Sequence, residues 1–227
     1  GGVGKTTVSV NVAVTLAKMG HSVGILDADI DCPNLVKAMN VTGKPQFEDG
    51  TFVPTEQYGV KILSSGFFQK SDNEAIIMRG PMIHNALTQF LESTDWGDLD
   101  YLVVDLPPGT SDAALTIMQT LPMDGFVIVT TPQELAKMDA KRSINMVKKL
   151  NVNVLGVVEN FTGDIFGTGA GKDIASEEKI PFLGYLQLRP EYQDLSQPTS
   201  LSSSTVNQEY ETIIQNLKAG LEASKPN

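Results

Sequence analysis

The chain opens Gly-Gly-Val-Gly-Lys-Thr-Thr, Gly1 to Thr7, and passes without a break into an apolar stretch with helical spacing. Few short strings constrain a fold as tightly. Glycines let a backbone curl until its N–H groups point inward and form a nest for anionic oxygens. A helix that starts there adds the positive end of its dipole. In such a loop Lys5 reaches the β- and γ-phosphates of a nucleotide, and the Thr6 hydroxyl falls on Mg²⁺. The competing reading is a flexible glycine-rich terminus. Gly-Lys-Thr abutting a helix, with strands ending in Asp further on, argues against it.

The full spacing GxxxxGK[ST] asks for a glycine two positions ahead of Gly1, fed by a β-strand. The expectation is therefore an N-terminally truncated chain, its first strand missing, with the chemistry belonging to a completed chain.

Further along, β-rich runs alternate with helical stretches. The pattern predicts a helix over Val8 to Lys18, stopped by Gly20. It predicts strands at Ser22 to Leu26, Val60 to Leu63, Tyr101 to Val104, Gly125 to Thr130, Val152 to Val158 and Phe182 to Leu186. Helices are expected at Met82 to Leu91, with Pro81 in the first turn, and from about Gln133 to Leu150. Strands interleaved with helices specify a doubly wound, mostly parallel α/β sheet covered on both faces. Ligands collect at the carboxyl ends of such strands. Asp27, Asp29, Asp105, Thr130, Thr131 and Asn160 all fall there. No linker or composition shift interrupts the chain, so residues 1–227 are read as one domain.

Asp105 ends the run Tyr-Leu-Val-Val-Asp, where a carboxylate beside a phosphate loop anchors Mg²⁺ through water. Pro107, Pro108 and Gly109 then make a rigid turn suited to sensing a γ-phosphate. Among Asp27, Asp29 and Asp31, one carboxylate orients the attacking water and another helps hold the metal. Asp29 and Asp27 are read as the functional pair and Asp31 as a solvated turn residue or a helix cap, an alternative that also stands for Asp27.

With 227 residues and a formal net charge of −10, the chain lacks the basic excess that nonspecific nucleic-acid binding or an anionic membrane surface requires. No apolar run reaches the roughly 20 residues of a membrane span. A single cysteine, Cys32, excludes an internal disulfide framework. The need for ATP makes the cytoplasm the expected compartment.

The strings GGVGKTT, DADIDCPN, VVDLPPGTSDAALTIMQTLP and GVVEN resemble, in order and spacing, the deviant Walker A (ParA/MinD) P-loop ATPases. From Asp105 to Asn160 the chain most resembles the Mrp/ApbC branch of iron–sulfur cluster carriers and scaffolds. The resemblance implies an ATP-hydrolysing homodimer with nucleotide near the subunit interface, and iron–sulfur client or scaffold proteins as partners. It implies that Gly1, Gly2, Val3, Gly4, Lys5, Thr6 and Thr7 bind nucleotide, with Lys5 and Asp29 catalytic. Thr6, Asp27 and Asp105 would serve Mg²⁺, and Asn160 would read the adenine edge, which an amide does with a donor and an acceptor together. A strand-end turn residue is the bland alternative for Asn160. The family's deviant lysine falls ahead of Gly1.

The chain departs from that branch in one segment. Carriers of this type place a Cys-x-x-Cys pair after the Glu-Asn step, where this chain reads ENFTGDIFGTGAGKDIA with no cysteine. Thiolates are the usual cluster ligands, so this segment is not expected to hold a cluster. The alternative functions are a MinD/ParA-like positioning switch and a truncated, inactive remnant. His21 and His84 are read as ordinary surface or helix residues. Lys137, Lys141, Arg142, Lys148 and Lys149 are read as a solvated helix face. The methionines are read as filling core and interface gaps. The apolar stripe Val206, Tyr210, Ile213, Ile214, Leu217 and Leu221 predicts a C-terminal helix packed on the domain.

Overall fold

A computed structural model describes residues 2–68, 80–110 and 112–223. Its elements, in chain order, begin with α1 (Lys5–Lys18), β1 (Val23–Asp27), α2 (Leu35–Ala38), β2 (Gln46–Glu48), β3 (Thr51–Val53), β4 (Thr55–Gln57) and β5 (Val60–Ser64). They continue through α3 (Gly80–Glu92), β6 (Tyr101–Asp105), α4 (Asp112–Thr120), β7 (Phe126–Thr130), α5 (Glu134–Lys149) and β8 (Val154–Thr162). The last are α6 (Ala170–Glu178), β9 (Phe182–Gln187), α7 (Thr199–Ser202) and α8 (Ser204–Ala223). Two compact units divide the chain: Lys5–Leu121 with Asp194–Ser202, and Gly1–Gly4 with Pro122–Gln193 and Ser203–Asn227.

In the Lys5–Leu121 unit the sheet runs β4-β5-β1-β6, parallel except for β4. Every residue of β1 is buried, as a central parallel strand covered on both faces requires. The register sets Asp27 level with Ser64 on one side and with Asp105 on the other, so three polar residues end three neighbouring strands. Leu26, Leu63, Phe52 and Phe90 form a core beneath α3, and Trp96 and Val104 pack against it. Helix α1 packs on β1 and β6. It stops where the sequence says it should. Gly20 takes φ +91°, its N–H bonds Ala17 O at 2.9 Å, and the His21 N–H bonds Leu16 O at 3.2 Å, a Schellman ending.

The Pro122–Gln193 unit holds a second sheet, β7-β8-β9, parallel throughout. Ile128, Ala140, Ile144, Val157, Ile174 and Ala175 pack α5 and α6 on it. The expected C-terminal stripe is present in α8, with Val206, Tyr210, Ile213, Ile214 and Leu217 buried. Asn216 donates its amide to Leu183 O at 2.8 Å, tying α8 to β9.

Two features differ from the sequence reading. The β2–β3 hairpin, α4 and α6 were not anticipated. Strand β8 runs past Val158 to Thr162 and so contains Asn160. Three lysines of the solvated α5 face also pair with α6. Lys137 lies 3.8 Å from Asp173 and Lys148 2.8 Å from Glu178, and Lys141 pairs with Glu177, so the helix faces α6 with matched charges. Exposed pairs of this kind contribute little, roughly 0–1 kcal/mol each. Among the methionines, Met118 is buried, Met82 and Met138 are exposed, and Met78 lies outside the described residues. No helix of the described residues is long and apolar enough to cross a membrane.

Gly24 is the tightest joint in β1. A Cβ there would lie 2.7 Å from Leu99 Cδ1 and 2.9 Å from Trp96 Cε3. Gly24→Ala is expected to destabilise the fold by about 1–3 kcal/mol through overpacking. Urea unfolding followed by the fluorescence of Trp96, the single tryptophan, measures this; an unchanged midpoint would mean that the ring moves freely.

Candidate functional site

The anticipated site residues fall in both units, and each set has its own geometry. Gly1 lies outside the described residues. Gly2 and Gly4 take φ +82° and +83°, the left-handed region that a phosphate-binding curl needs and that glycine alone enters without cost. The Asn160 amide donates to Val3 O at 2.9 Å. A Cβ on Gly4 would collide with that same amide nitrogen and sit 3.2 Å from Phe161 Cζ. Asn160 is therefore buried against the loop, held to it through one N–H.

In the other unit, Thr6 sits in the first turn of α1 and donates its hydroxyl to Asp105 Oδ2 at 2.6 Å. Ser9, one turn on, donates to Asp105 Oδ1 at 3.0 Å. Sequence reasoning missed Ser9, although its spacing of three from Thr6 puts both on one helix face. Asp27 is fully buried and accepts from Ser64 Oγ at 2.9 Å, Leu35 N–H at 3.2 Å and Asp29 N–H at 3.2 Å. Ser64 was also missed; its signal was a polar residue ending a buried strand. Asp29 is half-buried, and its Oδ1 accepts the Cys32 N–H at 3.2 Å. Asp31 is exposed, in keeping with its assignment to a turn. Thr7 accepts the Asn11 amide on its carbonyl at 2.9 Å, and Asn11 Oδ1 accepts the Ser200 N–H at 2.8 Å, so the start of α1 is braced by α7.

Electrostatics single out this carboxylate group. Burial, and then the neighbouring Asp105, push the Asp27 carboxyl up to about 7. Burial also raises Asp105, against hydrogen bonds from Thr6 and Ser9 and the charge of Lys5. Asp29 is raised chiefly by burial. Buried carboxylates that resist ionising lack a full countercharge. Hydroxyl and carboxyl oxygens of this kind are hard donors, the chemistry that a divalent cation such as Mg²⁺ takes. Among the described residues, no group of three or more His, Cys, Asp and Glu side chains is placed to hold a metal directly.

Past Asn160 the chain closes on itself. Gly163 and Gly167 exchange two backbone hydrogen bonds, at 3.1 and 2.7 Å. Glu159 accepts the N–H groups of Gly169 and Ala170, capping α6. This loop walls a cavity of about 400 Å³ lined by Glu159, Thr162, Lys172, Phe182 and Tyr185. Cys32 is exposed and far along the chain from this loop.

A glycine loop opening a helix, with parallel strands ending in buried Asp, defines a P-loop NTPase. Solved structures agree on the fold. A nucleotide-binding protein of Archaeoglobus fulgidus in complex with ADP is similar with a TM-score of 0.75, at 35% identity, over 88% of this chain and 82% of that one. The cell division ATPase MinD of Pyrococcus furiosus is similar in fold with a TM-score of 0.74, at 20% identity, over 96% and 94%. Residues 1–220 match the family described as NUBPL iron-transfer P-loop NTPase, and the chain belongs to that family. The iron-sulfur cluster carrier protein of Methanocaldococcus jannaschii is 40% identical over 99% of this chain and 83% of its own length. That of Synechocystis is 45% identical over 83% of this chain and 58% of its own length.

The raised carboxyls give stability a pH dependence of known sign. Asp27 goes from 3.8 to about 7 on folding, so its contribution is fully present below pH 4 and is lost as pH rises through 7. Asp29 and Asp105 act in the same direction. Without metal, the loss from Asp27 is roughly 4 kcal/mol. Urea midpoints at pH 5 and pH 8 should therefore differ, and Asp27→Asn should flatten the difference. Equal slopes in the two proteins would place the titration elsewhere.

Proposed function

We propose that this chain binds and hydrolyses ATP as a homodimer, in the carriage or assembly of iron–sulfur clusters. The observation that carries the ATPase reading is the Thr6–Asp105 hydrogen bond at 2.6 Å, which joins the phosphate-loop hydroxyl to the carboxylate ending β6. Kinship with cluster carriers supports the role in iron–sulfur chemistry.

In this reading the backbone N–H groups of Gly1–Gly4 cradle the phosphates, Lys5 neutralises the β- and γ-oxygens, and Thr7 continues the cradle into the helix. Thr6, with Asp27 and Asp105 acting through water, would hold Mg²⁺, which when bound would help neutralise phosphate charge. Asp29 accepts a proton of the attacking water and aligns it. Its elevated basicity and its half-buried position suit that task. Asn160 holds the loop through Val3 and presents the rest of its amide to the base. The cargo cluster is substrate, and a chain with one cysteine does not supply a Cys-x-x-Cys pair for it.

A second reading is an ATP-dependent switch that engages partners without carrying a cluster itself. One observation favours it: a closed Gly163–Gly167 loop with no cysteine occupies the segment where the family resemblance implies a Cys-x-x-Cys pair. Anaerobic reconstitution with iron and sulfide separates the two; a chain that acquires no cluster absorbance yet turns over ATP acts as the switch.

Lys5→Ala is expected to abolish phosphate release from ATP, and unchanged turnover would overturn the ATPase assignment. Asp29→Ala is expected to keep ATP affinity and to lose turnover by a factor on the order of 10² to 10⁴. Normal hydrolysis in that variant would move the water-aligning role to another residue.

A further inference from the structure

Phe161 stands in a backbone conformation that a phenylalanine rarely takes, with φ +58°. The other described non-glycine residues at positive φ have ordinary reasons. Asn40, Asn151 and Lys179 end helices, and Asp49 and Tyr58 lie in turns. Phe161 lies inside strand β8. There the ladder to β9 slips: Glu159 pairs with Tyr185 and Thr162 with Gln187, so β8 carries one extra residue between them. That is a β-bulge, and its left-handed position is normally given to glycine. A bulky side chain there is strained and persists where its surroundings use it.

The surroundings are the glycine loop. The bulge turns two consecutive side chains toward it. Asn160 takes the Val3 carbonyl at 2.9 Å, and the edge of the Phe161 ring lies 3.2 Å (Cζ) and 3.6 Å (Cε1) from the place where a Gly4 Cβ would be. Gly4 itself is held at φ +83° and immediately precedes Lys5. A glycine at 161 would relieve the backbone and leave Gly4 uncovered on that side. We propose that Phe161 is a positioning residue for nucleotide binding: its ring is a wedge that fixes the Gly4 backbone, so that the loop is set before phosphate arrives. The inference rests on the phosphate-loop reading above. It assigns to the strain at Phe161 the work of pre-ordering, which lowers the cost of binding.

The test uses the full chain and four proteins: wild type, Phe161→Gly, Phe161→Tyr and Lys5→Ala. Equilibrium titration with a fluorescent ATP analogue, ATP turnover and urea unfolding are measured on each. Phe161→Gly is expected to weaken nucleotide binding on the order of tenfold, raising KM more than it lowers kcat. Its urea midpoint should hold or rise, because the strain is gone. Phe161→Tyr, which keeps the ring, should bind as wild type. If Phe161→Gly binds as wild type while Lys5→Ala does not, the wedge is wrong and the phosphate loop stands. If Lys5→Ala also binds as wild type, the phosphate-loop reading falls and the wedge falls with it. If Phe161→Gly unfolds more readily, Phe161→Leu decides, since it keeps bulk and strain but loses the flat ring; wild-type affinity there overturns the proposal.

Discussion

Two carboxylates in register, Asp27 and Asp105, end neighbouring parallel strands and lie buried side by side. Like charges at that separation in a poorly solvated place repel, and the protein meets the problem with donors. Ser64, Leu35 and Asp29 supply Asp27; Thr6 and Ser9 supply Asp105. Much of this unit follows from those contacts. Helix α1 is fixed to β6 through two hydroxyls, and the chain leaving β1 is turned by an N–H bond to Asp27. Strand β5 must end in a residue that can donate. The fold thus gathers buried carboxyl groups at the carboxyl edge of its sheet.

The parts of this arrangement that were legible in the sequence are those with a local cause. Gly2–Thr7 running into an apolar helix, Gly20 closing that helix and the Val-Val-Asp ending of β6 each state their conformation through residue type and spacing. The stripe of α8 is legible for the same reason. What escaped is what depends on tertiary partners. Helix α6 has a polar, glycine-preceded sequence with little periodicity, and it is held by the Glu159 carboxylate on its N-terminal N–H groups and by charges on α5. The β2–β3 hairpin is exposed except at Phe52, which packs with Phe90, a contact no local pattern announces. Ser9 and Ser64 look like ordinary polar residues until the strands are laid in register.

Asn160 spends one N–H on the loop, through Val3. An amide has a second donor and an acceptor besides. The bulge that aims it is the price of a strand that must both pair with β9 and reach the glycines. The same departure from regular pairing precedes the short Gly163–Gly167 closure.

The contact between Gly4 and Asn160 also bears on how such a loop can change over generations. A side chain at residue 4 would strike the amide that braces the loop. Alanine there would need residue 160 to shorten and would still be strained at φ +83°, and a shortened residue 160 no longer holds Val3. Each single replacement passes through a poorer protein, so the two positions are expected to be inherited as a block, with drift confined to positions around them.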